Sequence, residues 1–132
     1  VWVLCSDEVE PVDPELVCIN PFTRTVEKRF VFPDRSKIPQ RLRIDEAGEN
    51  IYYLNGDLYQ LGIRDTNLST VPVVNADGRN FYNYKLQGTT VWMTDAKDFQ
   101  AAGEVIQFDL ASGLELARYA TGTIPSEILF LD

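Results

Sequence analysis

The sequence has no histidine, only 2 cysteines and a single methionine in 132 residues. Without histidine there is no Ser-His or Cys-His nucleophile pair, no imidazole base, and no His-ligated metal or haem site. No apolar run approaches the roughly 18 residues that a membrane-crossing helix needs. Basic residues are also scarce: 12 Lys and Arg stand against 20 Asp and Glu, giving a net charge of −8. That balance argues against a nucleic-acid partner, because phosphate backbones are bound by clustered Lys and Arg. The sequence opens at Val1 with neither an initiator Met nor a signal peptide, as a processed product or a section of a longer chain would. Helical signal is almost missing. Asp98–Ala102 offers one turn, and Gly103 stops it.

What is present is a packed, strand-rich pattern. Hydrophobic residues make up 45% of the chain and aromatics 11%, ordinary values for a globular protein and too high for a disordered one. Residues 91–132 give the clearest unit, with apolar runs at Val91–Asp95, Gly103–Asp109, Leu114–Tyr119 and Ile128–Leu131 separated by turn residues. Short strands punctuated about every 8–12 positions read as one small antiparallel sheet. The unit recurs about three times, over residues 1–45, 46–87 and 88–132, with Trp2, Tyr52 and Trp92 at matching points, as are Ile19, Leu61 and Phe108. A sheet repeating every 40–50 residues or so is the signature of a β-propeller. The expected fold is therefore all-β, a single propeller section over 1–132 of about three four-stranded antiparallel blades.

With blade strands named A to D from axis to rim, each repeat runs B-C-D-A. Ile38–Asp45, Asn80–Gln87 and Ile124–Asp132 are then inner strands, each belonging to the blade after its own repeat. Strands sandwiched between blades should be apolar on both faces. Val1–Leu4, Leu16–Ile19 and Ile51–Leu54 fit, and Trp92 is expected to be fully buried. Val26–Phe32 alternates as an outer strand, with Lys28 and Arg29 guarding its edge, and the second outer strand is expected around Val71–Val74. Asn55-Gly56 predicts a hairpin with a type I′ turn. Cys5 and Cys18 fall on adjacent strands, where a cross-strand disulfide and two free thiols are both compatible with the spacing. Three such repeats leave the first blade without an inner strand and the last inner strand without a blade. The section is expected to need the remaining blades of a longer chain, or a second copy closing the ring.

Propeller connectivity puts the B–C and D–A connections on one face, and these are the longer and more varied loops: 6–15, 33–37, 55–57, 75–79, 95–102 and 121–123. Sites concentrate on variable loops held by a rigid scaffold. The candidate ligand-binding residues are Asp7 and Glu8, Arg35, Asp77 and Arg79, Phe81 and Tyr82 on an inner strand, and Asp95, Lys97 and Asp98. The acidity of this face could be a Ca²⁺ site or a solvated rim, and the spacing matches no D-x-D-x-D-G loop, so no structural metal is expected. Ser6-Asp7 and Thr94-Asp95 read as turn formers that bond the local backbone. No catalytic residue and no cofactor are indicated.

Gly122-Thr123-Ile124-Pro125, and Ile19-Asn20-Pro21-Phe22-Thr23-Arg24-Thr25-Val26, resemble the "G-x-x-P" and "I-D-x-x-T-x-x-V" stretches of YVTN-type propeller repeats. Val1–Ser6, Tyr52–Asn55 and Thr94–Asp98 are similar to YncE-like, DUF5074-type extracytoplasmic propellers of Gram-negative gut bacteria, and to their C-terminal blades in particular. The middle repeat departs, with Leu61-Gly62 and Gly78-Arg79-Asn80-Phe81 in place of those stretches. The resemblance implies a larger propeller of seven or eight blades, a location in the periplasm or at the outer-membrane surface, and a non-enzymatic binding role. Members of the group include surface lipoproteins that pass cobalamin to an outer-membrane transporter, so a cobalamin-like small molecule or a partner protein is the implied ligand. A quinoprotein-like or lactonase-like enzyme with its site in other blades, and a structural surface-layer or adhesion module, are the competing readings.

Overall fold

The computed structural model of the chain describes residues 1–6 and 12–131. They form β1 (Trp2–Cys5), β2 (Glu15–Asn20), β3 (Thr25–Val31), β4 (Gln40–Ile44), β5 (Asn50–Asn55), β6 (Asp57–Gly62), β7 (Phe81–Gln87), β8 (Thr90–Asp95), β9 (Ala102–Asp109) and β10 (Glu115–Thr123), with no helix among the described residues. Three antiparallel sheets result, ordered β1-β2-β3, β4-β5-β6 and β10-β9-β8-β7. The chain changes sheet after β3 and after β6, so β4 joins the sheet that follows it and β7 does the same. Residues 124–131 are outside any strand, as is Val71–Val74 apart from one bridge between Leu58 and Val74. Pro72 accounts for the missing fourth strand of the middle sheet, since it has no N–H to give a ladder.

Two apolar layers hold the sheets together. Ile51 and Tyr53 point from β5 into one, with Leu16, Phe30, Phe32 and Leu61. Tyr52 and Leu54 point from the same strand into the other, with Leu58, Phe81, Tyr84, Val91, Met93, Ile106 and Phe108. Alternate side chains of β5 therefore bury on opposite faces, the pattern of a strand packed between two neighbours. The outer sheets lack a neighbour on one side. Consequently β1 is not doubly covered, with Val3 exposed and Trp2 half-buried. Trp92 is not fully buried either: it stacks on Tyr119 at 5.8 Å and meets Phe130 edge-on at 5.9 Å, while its neighbours Val91 and Met93 fill the core.

The connections between the second and third strands of a repeat explain its turn signature. Asn20 Oδ1 accepts from Phe22 N (3.0 Å) and Thr23 N (3.3 Å), and Arg24, at φ 60°, donates its N–H to Asn20 O at 2.9 Å. Asp109 Oδ2 accepts from Ser112 N (2.8 Å) and Oγ (2.6 Å), and Gly113, at φ 69°, donates to Asp109 O at 2.8 Å. An Asn or Asp at the strand end thus folds the turn back on its own backbone. The middle repeat keeps the bond but reverses its source: Asp65 Oδ2 takes the Gly62 N–H at 2.8 Å.

Several expected details come out differently. The β5–β6 hairpin exists, but Leu54 pairs with Leu58 across three residues and only Gly56 has positive φ, so the turn is not type I′, which needs two such residues. Cys5 pairs with Glu15 and Cys18 with Trp2, which sets the thiols three pairs out of step, and both are free. Lys28 is no edge guard. Its ammonium donates to Ile63 O (2.7 Å) and Asp65 O (3.1 Å), tying β3 to the middle sheet, while Arg29 pairs with Glu15.

Candidate functional site

One end of the molecule gathers the start of β4, the start of β7 and the β8–β9 loop. The loop is anchored by Asp95, the buried last residue of β8. Its Oδ1 accepts from Asn80 N (3.0 Å) and Lys97 N (2.9 Å), and Asn80 Nδ2 donates to Lys97 O at 2.9 Å. Behind it, Gly103 has no room for a side chain, because an added Cβ would fall 2.6 Å from Asp95 O and collide with the Pro125 ring. That contact gives the "G-x-x-P" stretch its physical reason: Pro125 seats the chain as it leaves β10. Asp98 Oδ1 accepts from Gln100 N (3.0 Å) and Ala101 N (2.7 Å), and these bonds hold its carboxyl below the usual range.

This anchoring presents Phe99, exposed and at φ 64°, with Lys97 at φ 50° beside it. Non-glycine residues in that region cost of order 1 kcal/mol each and persist where surrounding bonds impose them. The Phe99 ring meets Tyr82 edge-on at 5.8 Å. Arg41, itself at φ 59°, lies over the Tyr82 ring at 5.3 Å and donates Nε–H to Tyr82 O at 3.1 Å. A cation and two aromatic rings therefore run from β4 across β7 to the loop. Beneath them Tyr84 donates its hydroxyl to Arg41 O at 2.7 Å, and burial raises its phenol pKa. Asn83 is buried, donating Nδ2–H to Ser126 O at 2.6 Å and accepting from Tyr84 N at 2.9 Å.

The sequence-predicted residues divide among several places. Tyr82, Asp95, Lys97 and Asp98 come together here, although Asp95 spends its carboxylate on backbone N–H groups and Lys97 pairs with Glu104 at 3.6 Å. Arg79 is held apart, donating to Ala76 O (3.2 Å) and Glu115 (3.3 Å) with its guanidinium over Phe108, and Asp77 lies 3.9 Å from it. Phe81 is core, edge-on to Phe108 at 6.0 Å. Arg35 lies in the connection between β3 and β4, 2.6 Å from Asp13 ahead of β2. Asp7 and Glu8 lie outside the described residues. Sequence reasoning passed over Arg41 and Phe99. The signals were an arginine on an inner strand and a lone aromatic in the polar run Lys97-Asp98-Phe99-Gln100.

Thr94 Oγ1 bonds both the N–H and the carbonyl of Asn83, so its hydroxyl is committed to the backbone. Among the described residues no three His, Cys, Asp or Glu side chains converge as metal ligands. Among the described residues no helix is long and apolar enough to cross a membrane. The chain matches no family model and no curated protein.

Proposed function

We propose that the three sheets are successive blades of a β-propeller and that the chain is a non-enzymatic binding protein outside the cytoplasm. Two features support the propeller: β5 is buried on both faces, and β4 and β7 each cross into the following sheet. The free edge of β1 and the strandless segment 124–131 are completed by other blades, from a longer chain or a second copy. The ligand, a small molecule with a flat apolar face, lies on the loop end. The observation that carries this is the Arg41–Tyr82–Phe99 ladder, in which an exposed ring sits on a strained backbone fixed by the loop's own bonds, Phe99 N–H to Ala96 O at 2.9 Å among them. Aromatic faces presented by a rigid scaffold suit flat ligands.

Cyanocobalamin, the ligand suggested by the resemblance, is the first probe. Titration calorimetry is expected to show saturable binding that Phe99→Ala weakens by about tenfold at unchanged melting temperature, the scale of one lost ring contact. Binding of any ligand that Phe99→Ala and Arg41→Gln both leave intact would place the site elsewhere.

A further inference from the structure

The inner strands carry a charge opposite to that of the protein. In a chain with 20 acidic residues, β4 (QRLRI) and β7 (FYNYKLQ) contain three cations and no carboxylate. Elsewhere Arg29, Arg35, Arg79, Lys97 and Arg118 each have a carboxylate partner, whereas Arg24, Lys28, Lys37 and Arg64 form no ion pair among the described residues. Arg41, Arg43 and Lys85 form no ion pair among the described residues. They rest on rings instead, Arg43 over Tyr84 at 5.9 Å and Lys85 over Phe130 at 5.1 Å. Arg43 directs one terminal nitrogen to Leu42 O at 3.0 Å and the other, at 3.5 Å, to Asn83 Oδ1, which leaves most of its five N–H donors unused.

Arg43, Tyr84 and Lys85 line one groove of about 380 Å³, walled by Ile44 and Ile128 and bordered by the exposed Glu127. Because β4 and β7 are edge strands of their sheets, each also has backbone N–H groups without a ladder partner on that side. The result is two cations and apolar walls in one concave place.

Resting on the binding reading above, we infer that this groove takes a small dianion with a flat apolar body, its two carboxylates meeting Arg43 and Lys85. Cation–π contact holds each cation in place without neutralising it, so the positive field stays available to a ligand. Arg43 meets a carboxylate through paired N–H donors, and Lys85 acts as a point charge. Glu127 opposes any third negative charge and sets an upper limit on ligand charge.

Isophthalate (benzene-1,3-dicarboxylate) and its neutral diamide are the probes, titrated calorimetrically into the 132-residue chain at low salt. Isophthalate should bind and the diamide should not. Arg43→Gln and Lys85→Gln should each weaken isophthalate by about tenfold, the loss of one charge-assisted bond, and Arg43→Lys, which keeps the charge but not the paired donors, should weaken it less than Arg43→Gln. Glu127→Gln should tighten it. Arg43 is exposed and Lys85 only partly buried, so melting temperatures should hold, and an Arg43→Gln variant that melts early is replaced by the Arg43→Lys comparison. Equal binding of acid and diamide, no binding at about 10 mM (a free energy near −3 kcal/mol), or affinity unmoved by either Gln variant overturns the inference. The Phe99→Ala titration is separate: a neutral ligand still lost in that variant leaves the loop-end site standing while the anion groove falls.

Discussion

Gly103 and Asp95 show how single positions decide the loop end. A methyl at Gly103 would press on a carbonyl and a proline ring, neither of which can move aside cheaply. Gly103→Ala should cost about 1–3 kcal/mol, as overpacking does, and urea unfolding will measure it. Asp95→Ala should cost about 1–3 kcal/mol through the two N–H groups left without their acceptor, whereas Asp95→Asn, which keeps an acceptor oxygen, should cost well under half of that. Equal losses in the two would mean that the negative charge, not the cap, matters. Trp92 offers a contrast with its strand neighbour. Met93→Ala empties a fully buried site and should cost about 2–5 kcal/mol. Trp92→Ala removes a partly buried ring with two aromatic contacts and should cost less, about 1–2 kcal/mol.

Turns carry the element-scale predictions. Arg24 occupies in the first sheet the positive-φ place that Gly113 occupies in the third. Arg24→Gly should therefore stabilise by about 0.5–1 kcal/mol, since glycine accepts that conformation without a steric penalty. A loss of stability would mean that the guanidinium makes a contact worth more than the backbone relief. The carboxyls of Asp109, Asp45 and Asp34 lie below the ordinary range, chiefly through side-chain bonds from Ser112, Asn50 and Ser36. A carboxyl depressed on folding adds stability above its unfolded value, near 4, and that contribution is lost as pH falls through the folded value. The urea midpoint should accordingly be level from about pH 7 to 5 and decline below about 4. Asp109→Asn should flatten part of that decline, and an identical pH profile in the variant would refute the assignment.

The whole molecule has two uncovered margins. Val1 and Val3 are exposed on the first sheet, and Leu129 and Leu131 are 80% and 92% exposed near the other end. An unpaired strand edge beside apolar side chains is a template for association. Light scattering of the 132-residue chain should show concentration-dependent assembly, reduced by Val3→Lys and by Leu129→Asp. A monomer at millimolar concentration that melts cooperatively would show that these margins need no cover.

Much of the architecture is written locally. Alternating and continuous apolar runs mark the strands, Asn20, Asp109, Gly56 and Gly113 mark turns, and Pro125 marks the return from β10, because backbone preference and burial period act over a few residues. The same reasoning points to β4 and β7 crossing into the next sheet. What no local pattern holds is which face gains a neighbour and which side chains meet across sheets. Trp2, Tyr52 and Trp92 match in the repeat, yet only Tyr52 is buried, since only the middle sheet, to which β5 belongs, packs on both faces. Register also escapes a spacing argument, as the separated thiols of Cys5 and Cys18 show. The Arg41–Tyr82–Phe99 ladder draws on residues up to 58 positions apart, brought together by packing between sheets. The sequence by itself determined most of the strands and turn positions, because these depend on neighbours along the chain, while the apolar runs Val71–Val74 and Ile128–Leu131 form no strand. Only the tertiary structure decided the site, because its residues become neighbours when the sheets stack.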